Sequence, residues 1–200
     1  GIDNYDMLLD ALQSYAQSKG WREIRFTLPP LFYQREELSG LINAFFRKGY
    51  QATAVDVNYA FDLRRVYSAE YESLIYYNAK KNLKIAKGAG LLLSHCQSSE
   101  DIALAYDIIA QNRACKGYPL RMSYQQVDDT IKIVDHEVFL VYKNDESIAA
   151  ALVYRVTDKI AQVIYWGDRP GFSDVKPINF LAYELIQYYG KIGLDYLDIG

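Results

Sequence analysis

The sequence predicts an α/β fold, of the α+β kind with a mixed β-sheet, and two observations lead to it. The second half of the 200-residue chain gives the order helix, helix, strand, strand, strand, helix, strand. The last strand, helix and strand take roughly 40 residues, enough for a right-handed crossover that leaves the two strands parallel. We therefore expect a sheet that is antiparallel at first and parallel at its end.

A third observation is that the two ends of the chain read alike. Residues 4–26 and residues 179–199 each contain an amphipathic helix, a glycine and a short strand, and Gly20 aligns with Gly193. An internal repeat of this kind predicts parts of two copies of one α/β module. The alternative is that any helix that ends at a glycine before a strand gives the same pattern.

The first 66 residues are predicted to alternate helix and strand. Apolar residues at positions 8, 9, 12, 15 and 16 mark one face of a helix over residues 5–18. Alternating apolar residues indicate strands at 23–28 and 50–63, and a second helix is expected at 35–48.

The middle of the chain is predicted to be mostly helical. Residues 67–87 contain few breakers and predict one long helix, which the short strand 91–95 follows. Ser98 with Asp101 marks the start of a helix that runs through Asn112. Ser123 with Gln126 gives the same capping signal for a helix to about Val134.

The last third is predicted to hold a three-stranded meander, a helix and a final strand. The meander strands are expected at 137–142, 147–156 and 159–166, with turn-forming residues between them. A loop over 167–176 leads to Pro177, which suits the first turn of a helix that ends near Tyr189. The final strand is expected at 194–199.

Composition excludes several classes of site. The net charge is −3 and the pI about 5.4, so the chain as a whole does not attract nucleic acid or an anionic membrane. The two cysteines and two histidines show no metal-ligand spacing, so we expect no metal ion. His95 and Cys96 are neighbours on a strand and should point to opposite faces, which disfavours a Cys–His catalytic pair.

Localisation follows from two further absences in the sequence. No disulfide framework is present, which suits a reducing compartment, and we expect a cytoplasmic protein. No run of about 18 apolar residues is present, so we expect no membrane span.

Several segments resemble one branch of the Gcn5-related N-acetyltransferase (GNAT) superfamily. The run AKKNLKIA at 79–86, followed by Gly90 and Leu91, resembles the start of the second domain in Fem-type (FemAB-like) aminoacyltransferases. The runs IAAALVY at 148–154, YWG at 165–167, NFLAYEL at 179–185 and LDIG at 197–200 look like strands and a helix of the same superfamily. The predicted element order is also that of the acetyltransferase fold.

This resemblance implies two acetyltransferase-like domains in tandem. Residues 1–66 would be a partial first domain, 67–97 a connecting helix and strand, and 98–200 a second domain that lacks its C-terminal elements. The tandem arrangement would explain why the two ends of the chain read alike.

The resemblance also implies transfer of an acyl or aminoacyl group from an activated donor to an amine, such as that of a cell-wall precursor. The usual coenzyme A signature, a Gln/Arg-x-x-Gly-x-Gly/Ala turn, is absent, because the loop at 167–176 reads GDRPGFSDVK. Acyl-coenzyme A as a co-substrate and aminoacyl-tRNA therefore both stay open as donors, and no permanently bound cofactor is expected. The alternative is a non-catalytic ligand-binding module that kept the groove of the fold.

The candidate donor site is the loop and helix start after the third meander strand. A crossover helix between parallel strands directs its N–H groups and positive dipole at an anion. Cations, a hydroxyl and an aromatic wall would complete the site: Trp166, Gly167, Arg169, Ser173, Lys176 and Asn179. The alternative is a solvated loop with surface cations beside a core tryptophan.

Two other groups are candidate binding residues. The segment between the two middle helices would hold an anionic acceptor through Arg113, Lys116, Tyr118 and Arg121, or it is a Gly-Pro loop with surface cations. A basic run on the long helix would track the backbone of a tRNA or another polyanion, or it complements the helix dipole; it comprises Lys80, Lys81, Lys84 and Lys87.

For chemistry, amide formation needs a neutral amine, a route for its proton and a polarised carbonyl. Asp168 is the candidate catalytic residue, since it lies where the reaction crevice is expected. Tyr165 is an alternative relay or a packing residue.

Overall fold

The computed structural model describes residues 2–67 and 71–200, and it divides the chain into two units. The first unit is Gly1–Val57 and the second is Asn58–Gly200. This boundary lies nine residues before the predicted one at residue 66. The assignment of the chain to two tandem acetyltransferase-like domains stays a prediction.

The first unit is built from two helices, as the apolar periodicity predicts. Helix α1 spans Ile2–Ser18 and helix α2 spans Arg35–Arg47, and a short 3-10 turn precedes α2. Their contact buries Leu9 against Ala44 and Phe45. Two ion pairs at the rim also join the helices, because Asp6 and Asp10 on α1 meet Arg47 and Lys48.

The strands predicted in this part of the chain are wrong or much shorter than expected. Residues 23–30 form no strand, since no neighbouring strand pairs with them; Phe26 instead packs its ring 4.8 Å from that of Phe45. Residues 51–59 are exposed and irregular, and only Ala60–Asp62 forms a strand, β1. The alternation of apolar and polar residues therefore predicted more strand structure in both segments than the protein forms.

The second unit is a six-stranded mixed sheet with helices on both faces. After β1 come the helices α3 (Leu63–Val66), α4 (Tyr71–Leu74) and α5 (Tyr77–Gly88), then β2 (Leu91–Cys96), α6 (Ser99–Cys115), α7 (Tyr124–Ile131), β3 (His136–Lys143), β4 (Glu146–Thr157), β5 (Ile160–Asp168), α8 (Pro177–Lys191) and β6 (Tyr196–Asp198).

Strand pairing confirms the predicted mixed sheet. The order across the sheet is β1-β6-β5-β4-β3-β2. The pairs from β2 to β5 are antiparallel, whereas β5 and β6 are parallel. Helix α8 makes the crossover between those two strands, as its length and position predict. The caps at Ser98 and Ser123 are confirmed too, since each hydroxyl accepts a hydrogen bond from the third residue of its helix.

The predicted helix over 67–87 is not one helix. The described part of this segment forms α4 and α5, separated by Ile75 and Tyr76, and residues 68–70 lie outside the described residues. The strand that follows, β2, pairs along its whole length with β3 and so belongs to the sheet.

Each face of the sheet has its own apolar core. One core lies between the sheet and helices α5 and α8, and the fully buried Phe139, Leu181 and Tyr189 belong to it. The other lies under α6 and α7 and includes Ile108 and Leu140. Among residues 2–67 and 71–200, no helix combines the length and apolar character needed to cross a bilayer.

Candidate functional site

The parallel strands β5 and β6 are paired over three residues, and β5 continues beyond the last pair. We call the space beside this part of β5 the crevice. The pairing of β5 with β6 ends at Gln162 opposite Asp198, while β5 continues to Asp168. After β6 the chain keeps its bonds to Tyr59, on the side away from β5. A register shift against β4 also leaves Ile164 of β5 without an opposite residue, which is a β-bulge. Among the described residues, the part of β5 after Gln162 therefore pairs with β4 alone.

Trp166 and Gly167 form the wall of β5 at this crevice, on opposite faces. The half-buried Trp166 packs against the core on the α8 side. Gly167 faces α6, where an added Cβ would lie 2.8 Å from the Cβ of Asn112. Glycine thus permits a close approach between β5 and α6.

Asp168, the candidate catalytic residue, is held by a buried asparagine that sequence reasoning missed. The Asn112 side chain donates its Nδ2 hydrogens to the carbonyl oxygen of Asp168, at 2.8 Å, and to Oδ1 of its carboxylate, at 2.7 Å. Asn112 lies one turn beyond Ile108 and Ile109 on the buried face of α6. A polar residue at that apolar position was the available signal.

The Arg169 side chain, which is predicted to bind a phosphate, already makes several polar contacts with other residues of the protein. Its Nε donates to the carbonyl oxygen of Ser147 at 2.9 Å, and its Nη1 donates to Oε1 of Gln111 at 3.2 Å. Nη2 lies 3.7 Å from Oδ2 of Asp107. These bonds fix the end of β5 to α6 and to the start of β4. A phosphate contact by Arg169 stays a prediction.

At the N-terminus of α8, side chains are better placed than backbone N–H groups to bind an anion. The Asn179 and Phe180 N–H groups both bond to the carbonyl oxygen of Lys176, and Pro177 has no N–H. Lys176 precedes the helix in the left-handed region, with φ 54° and ψ 52°. Ser173 is exposed in the short 3-10 turn before it. The Ser173 hydroxyl and the Lys176 ammonium are therefore the stronger candidates here.

The predicted acceptor residues lie at the same end of the sheet as Asp168. Arg113 follows Asn112 directly on α6, and the other three residues lie between α6 and α7. Tyr118 is 71% exposed, and Lys116 and Arg121 are also exposed. The Asn112–Asp168 contact thus brings the predicted donor and acceptor segments to one edge of the molecule's second unit.

The basic run lies on α5, and its last lysine already has partners. Lys80, Lys81 and Lys84 are exposed. The Lys87 ammonium lies 2.9 Å from Oε1 of Glu72 and 4.0 Å from the centre of the Tyr183 ring. The hydrogen bond from Lys87 lowers the pKa of Glu72. Contact between this run and a polyanion stays a prediction.

The second proton-relay candidate, Tyr165, packs against the α6 and α7 side of the sheet. That is the face opposite to Trp166, so the two neighbouring rings do not share one wall. Within the described part of the chain, no group of three or more His, Cys, Asp or Glu side chains is placed to hold a metal ion.

Comparison with known proteins gives a fold likeness without a sequence match. No protein-family model matches this chain, and no curated protein matches it in sequence. FemX matches it with a TM-score of 0.76 and 10% identity, over 100% of this chain and 68% of FemX. L-PGS from Bacillus licheniformis matches with a TM-score of 0.67 and 12% identity, over 99% of this chain.

A third match is the C-terminal domain of a protein from Agrobacterium fabrum assigned as a lysylphosphatidylglycerol synthetase, with a TM-score of 0.68 and 15% identity over 98% of this chain. The chain spans 59% and 58% of the Agrobacterium and Bacillus chains, which is less than two thirds of either. At these identities the likeness concerns the fold. The chain therefore has the Fem-like acetyltransferase fold that its sequence predicts.

Proposed function

We propose that this chain, which has the Fem-like acetyltransferase fold, transfers an acyl or aminoacyl group from an activated donor to an amine. The observation that carries the proposal is the crevice at the carboxyl end of β5, where pairing with β6 ends at Gln162. Ligands of open α/β sheets bind at such ends, beside the N-terminus of the crossover helix. The structural neighbours are named FemX, L-PGS and a lysylphosphatidylglycerol synthetase, and these names support a transfer reaction in general.

In this proposal the residues of the crevice bind and orient the two substrates. The Lys176 ammonium and the Ser173 hydroxyl hold the anionic part of an acyl-coenzyme A or of an aminoacyl-tRNA. Trp166 forms an apolar wall for the acyl group. The half-buried Arg113 and the exposed Arg121 draw in an anionic acceptor, such as a cell-wall precursor in the cytoplasm.

Positioning alone can account for much of the rate in such a reaction. A neutral amine attacks the carbonyl carbon of the ester or thioester, the C–N bond forms, and the donor alcohol or thiol leaves with a proton. Holding both reactants in one crevice replaces an encounter in solution by an internal step. Asp168, fixed by Asn112, is the proposed acceptor of the proton that the amine releases.

Label transfer tests this function directly. The protein is incubated with radiolabelled acetyl-coenzyme A or with a panel of aminoacyl-tRNAs, together with peptide amines. We expect transfer with at least one donor. Lys176→Met should reduce kcat/KM roughly tenfold, by the loss of one charge-assisted hydrogen bond. Lys191→Met, at the other end of α8, is the matched control and should leave the rate unchanged.

The second candidate function is a binding module without turnover. The bonds that already occupy Arg169 and the Asp168 carboxylate favour it, because they leave fewer groups free for chemistry. Saturable binding of a donor or of a peptide amine, with no label transferred across the whole panel, would establish this candidate and exclude the enzyme.

A further inference from the structure

The end of the sheet opposite to the crevice holds a second polar cleft, of about 400 Å³. Such a volume is in the lower range of small-molecule sites. Arg155, which lines the cleft, pairs with Ala161 of β5, so the seven steps from there to Asp168, at about 3.3 Å each, separate the two by roughly 23 Å along the strand. The residues that line the cleft come from the ends of β2, β3 and β4 and their flanks: His95, Cys96, Gln97, Asp135, His136, Glu137 and Arg155.

Glu137 is the centre of the cleft floor, and its side chain is 12% exposed. The Tyr188 hydroxyl of α8 donates to its Oε1 at 2.6 Å. The Arg155 Nη1 lies 3.8 Å from its Oε2, so the guanidinium and this carboxylate balance each other's charge. His95 stacks on Phe139 at 4.9 Å and lies 3.6 Å from Oε1. The floor is therefore a preformed polar network under the last turn of α8.

Some buried polar atoms of this network make no hydrogen bond within the part of the chain that the structure describes. Oε2 of Glu137, Nε of Arg155 and the hydroxyl of Tyr189 are buried without a hydrogen bond. A buried polar atom without a hydrogen bond lowers the stability of a fold. If stability were the only requirement, apolar side chains of the same size would be favoured at these positions. An incompletely satisfied network beneath an open cleft is typical of a site that serves function.

The groups that stay open toward solvent are mainly hydrogen-bond acceptors. The Asp135 side chain is exposed, and its carboxylate makes no hydrogen bond to the described residues. The Nδ1 of His136 lies 3.2 Å from the Val134 carbonyl oxygen, which can only accept, so Nδ1 carries the hydrogen. In the neutral ring Nε2 is then an acceptor. Gln97 adds one amide oxygen and one amide nitrogen.

The net charge of the cleft favours the same kind of ligand as its hydrogen-bond acceptors do. With neutral imidazoles the cleft holds two carboxylates, of Asp135 and Glu137, and one guanidinium, of Arg155. The net charge of −1 and the free acceptors fit a ligand that is positively charged and donates hydrogen bonds. We propose that the cleft between the ends of β2, β3 and β4 is a second ligand site, and that it binds a small organic cation bearing an ammonium group.

The only two histidines of the chain both line this cleft, which gives a direct test. The imidazole proton signals are followed by NMR at pH 8 while n-butylammonium, n-butanol or butyrate is added to the full chain. We expect saturable shifts with butylammonium in the millimolar range, and no saturable shift with the neutral or anionic compound. Stronger shifts with butyrate would overturn the proposal, because they would assign the cleft to anions through Arg155.

A matched pair of variants assigns the binding to the cleft. Asp135→Asn removes one exposed carboxylate and keeps its shape, and it should weaken butylammonium binding roughly fivefold to tenfold. Asp145→Asn makes the same change in the turn between β3 and β4, at the other end of these strands, and should have no effect. Equal affinity in the two variants, with both folded as judged by their amide spectra, would contradict the proposal.

Discussion

At the scale of single residues, polar side chains on apolar faces carry most of the information about sites. Asn112 on α6 and Glu137 on β3 occupy positions whose neighbours on the same face are buried and apolar. Their positions could be found from the sequence by periodicity. Their partners could not, because Asp168 is 56 residues from Asn112 and Tyr188 is 51 residues from Glu137. Only the folded sheet brings these pairs together.

Gly167→Ala tests the close approach of β5 to α6. The added methyl group would lie 2.8 Å from the Cβ of Asn112, so the strand or the helix must shift. We expect a loss of about 1–3 kcal/mol in the free energy of unfolding, measured by urea denaturation. Gly88→Ala is the matched control, because nothing lies within 4 Å of its added Cβ. Equal stabilities of the two variants would contradict the close approach.

Tyr188 and Tyr189 are neighbours in sequence, but we expect their replacement by phenylalanine to have different effects on stability. Tyr188→Phe removes the hydroxyl that donates to Glu137 and should cost about 1–3 kcal/mol at pH 7. Tyr189→Phe removes a buried hydroxyl without a hydrogen-bond partner among the described residues, so it should cost less than about 1 kcal/mol or stabilise. Thermal unfolding of both variants measures the difference, and a larger loss for Tyr189→Phe would reverse this interpretation.

The effect of Tyr188→Phe should also depend on pH. Burial, together with Glu137, raises the pKa of Tyr188 to about 12 from its ordinary 10.0. The unfolded chain therefore releases this proton first, and the folded protein loses stability as pH rises from 10 toward 12. The phenylalanine variant lacks this loss. The stability difference between the two proteins should shrink over that interval.

At the scale of elements, the helix starts that carry a capping signal were predicted more accurately than the strands of the first 66 residues. A cap is a local interaction, so Ser98 and Ser123 could be recognised within four residues of sequence. A strand exists only where another strand pairs with it. Residues 23–28 have the alternation of a strand and lack such a partner, whereas β3, β4 and β5 form hairpins with their neighbours in sequence.

The ends of the helices also show that a shared glycine is weak evidence for an internal repeat. After α1 the N–H of Trp21 bonds to the carbonyl oxygen of Ala16, and after α8 that of Leu194 bonds to Tyr189. Tyr50 after α2 and Tyr118 after α6 make the same bond, and in all four cases a glycine with positive φ precedes the donor. A glycine after the helix therefore does not distinguish an internal repeat from an ordinary helix end, and the repeat stays a prediction.

The cap of α7 can be tested by one substitution. Ser123 accepts from the Gln126 N–H, and the Gln126 side chain accepts from the Ser123 N–H. Ser123→Ala should lower the free energy of unfolding by about 1 kcal/mol, measured in urea. Ser39→Ala changes the same side chain at an exposed position in the interior of α2, away from its start, and serves as the comparison. An effect of Ser123→Ala below that of Ser39→Ala would contradict the capping interpretation.

At the scale of the whole molecule, the observed boundary after Val57 differs from the predicted boundary at residue 66 for a physical reason. The predicted boundary rests on the start of a helical segment, which is local. The observed boundary instead places β1 in the second unit, because the residues of β1 pair with those of β6, which come much later in the chain. Asn58 reinforces that pairing by donating to the Asp198 carboxylate at 2.9 Å.

Two fragments distinguish these boundaries. Residues 58–200 should unfold cooperatively, because they retain the whole sheet and both of its cores. Residues 67–200 lack β1 and leave the edge of β6 unpaired, so this fragment should be less stable and prone to aggregate. Urea denaturation and light scattering measure both properties. Equal stability and solubility of the two fragments would show that β1 is dispensable.

The pairing of β1 with β6 also has a consequence for the time course of folding. It joins residues about 140 positions apart, whereas the hairpins of β3, β4 and β5 close over short turns. Closing so long a loop has a large entropic cost, so the central hairpins should form early and the outer pair should close last. Substitutions in β1, such as Phe61→Ala, should therefore speed unfolding while leaving the folding rate nearly unchanged. The last contact to form in this protein would then be the one that joins the two ends of its second unit.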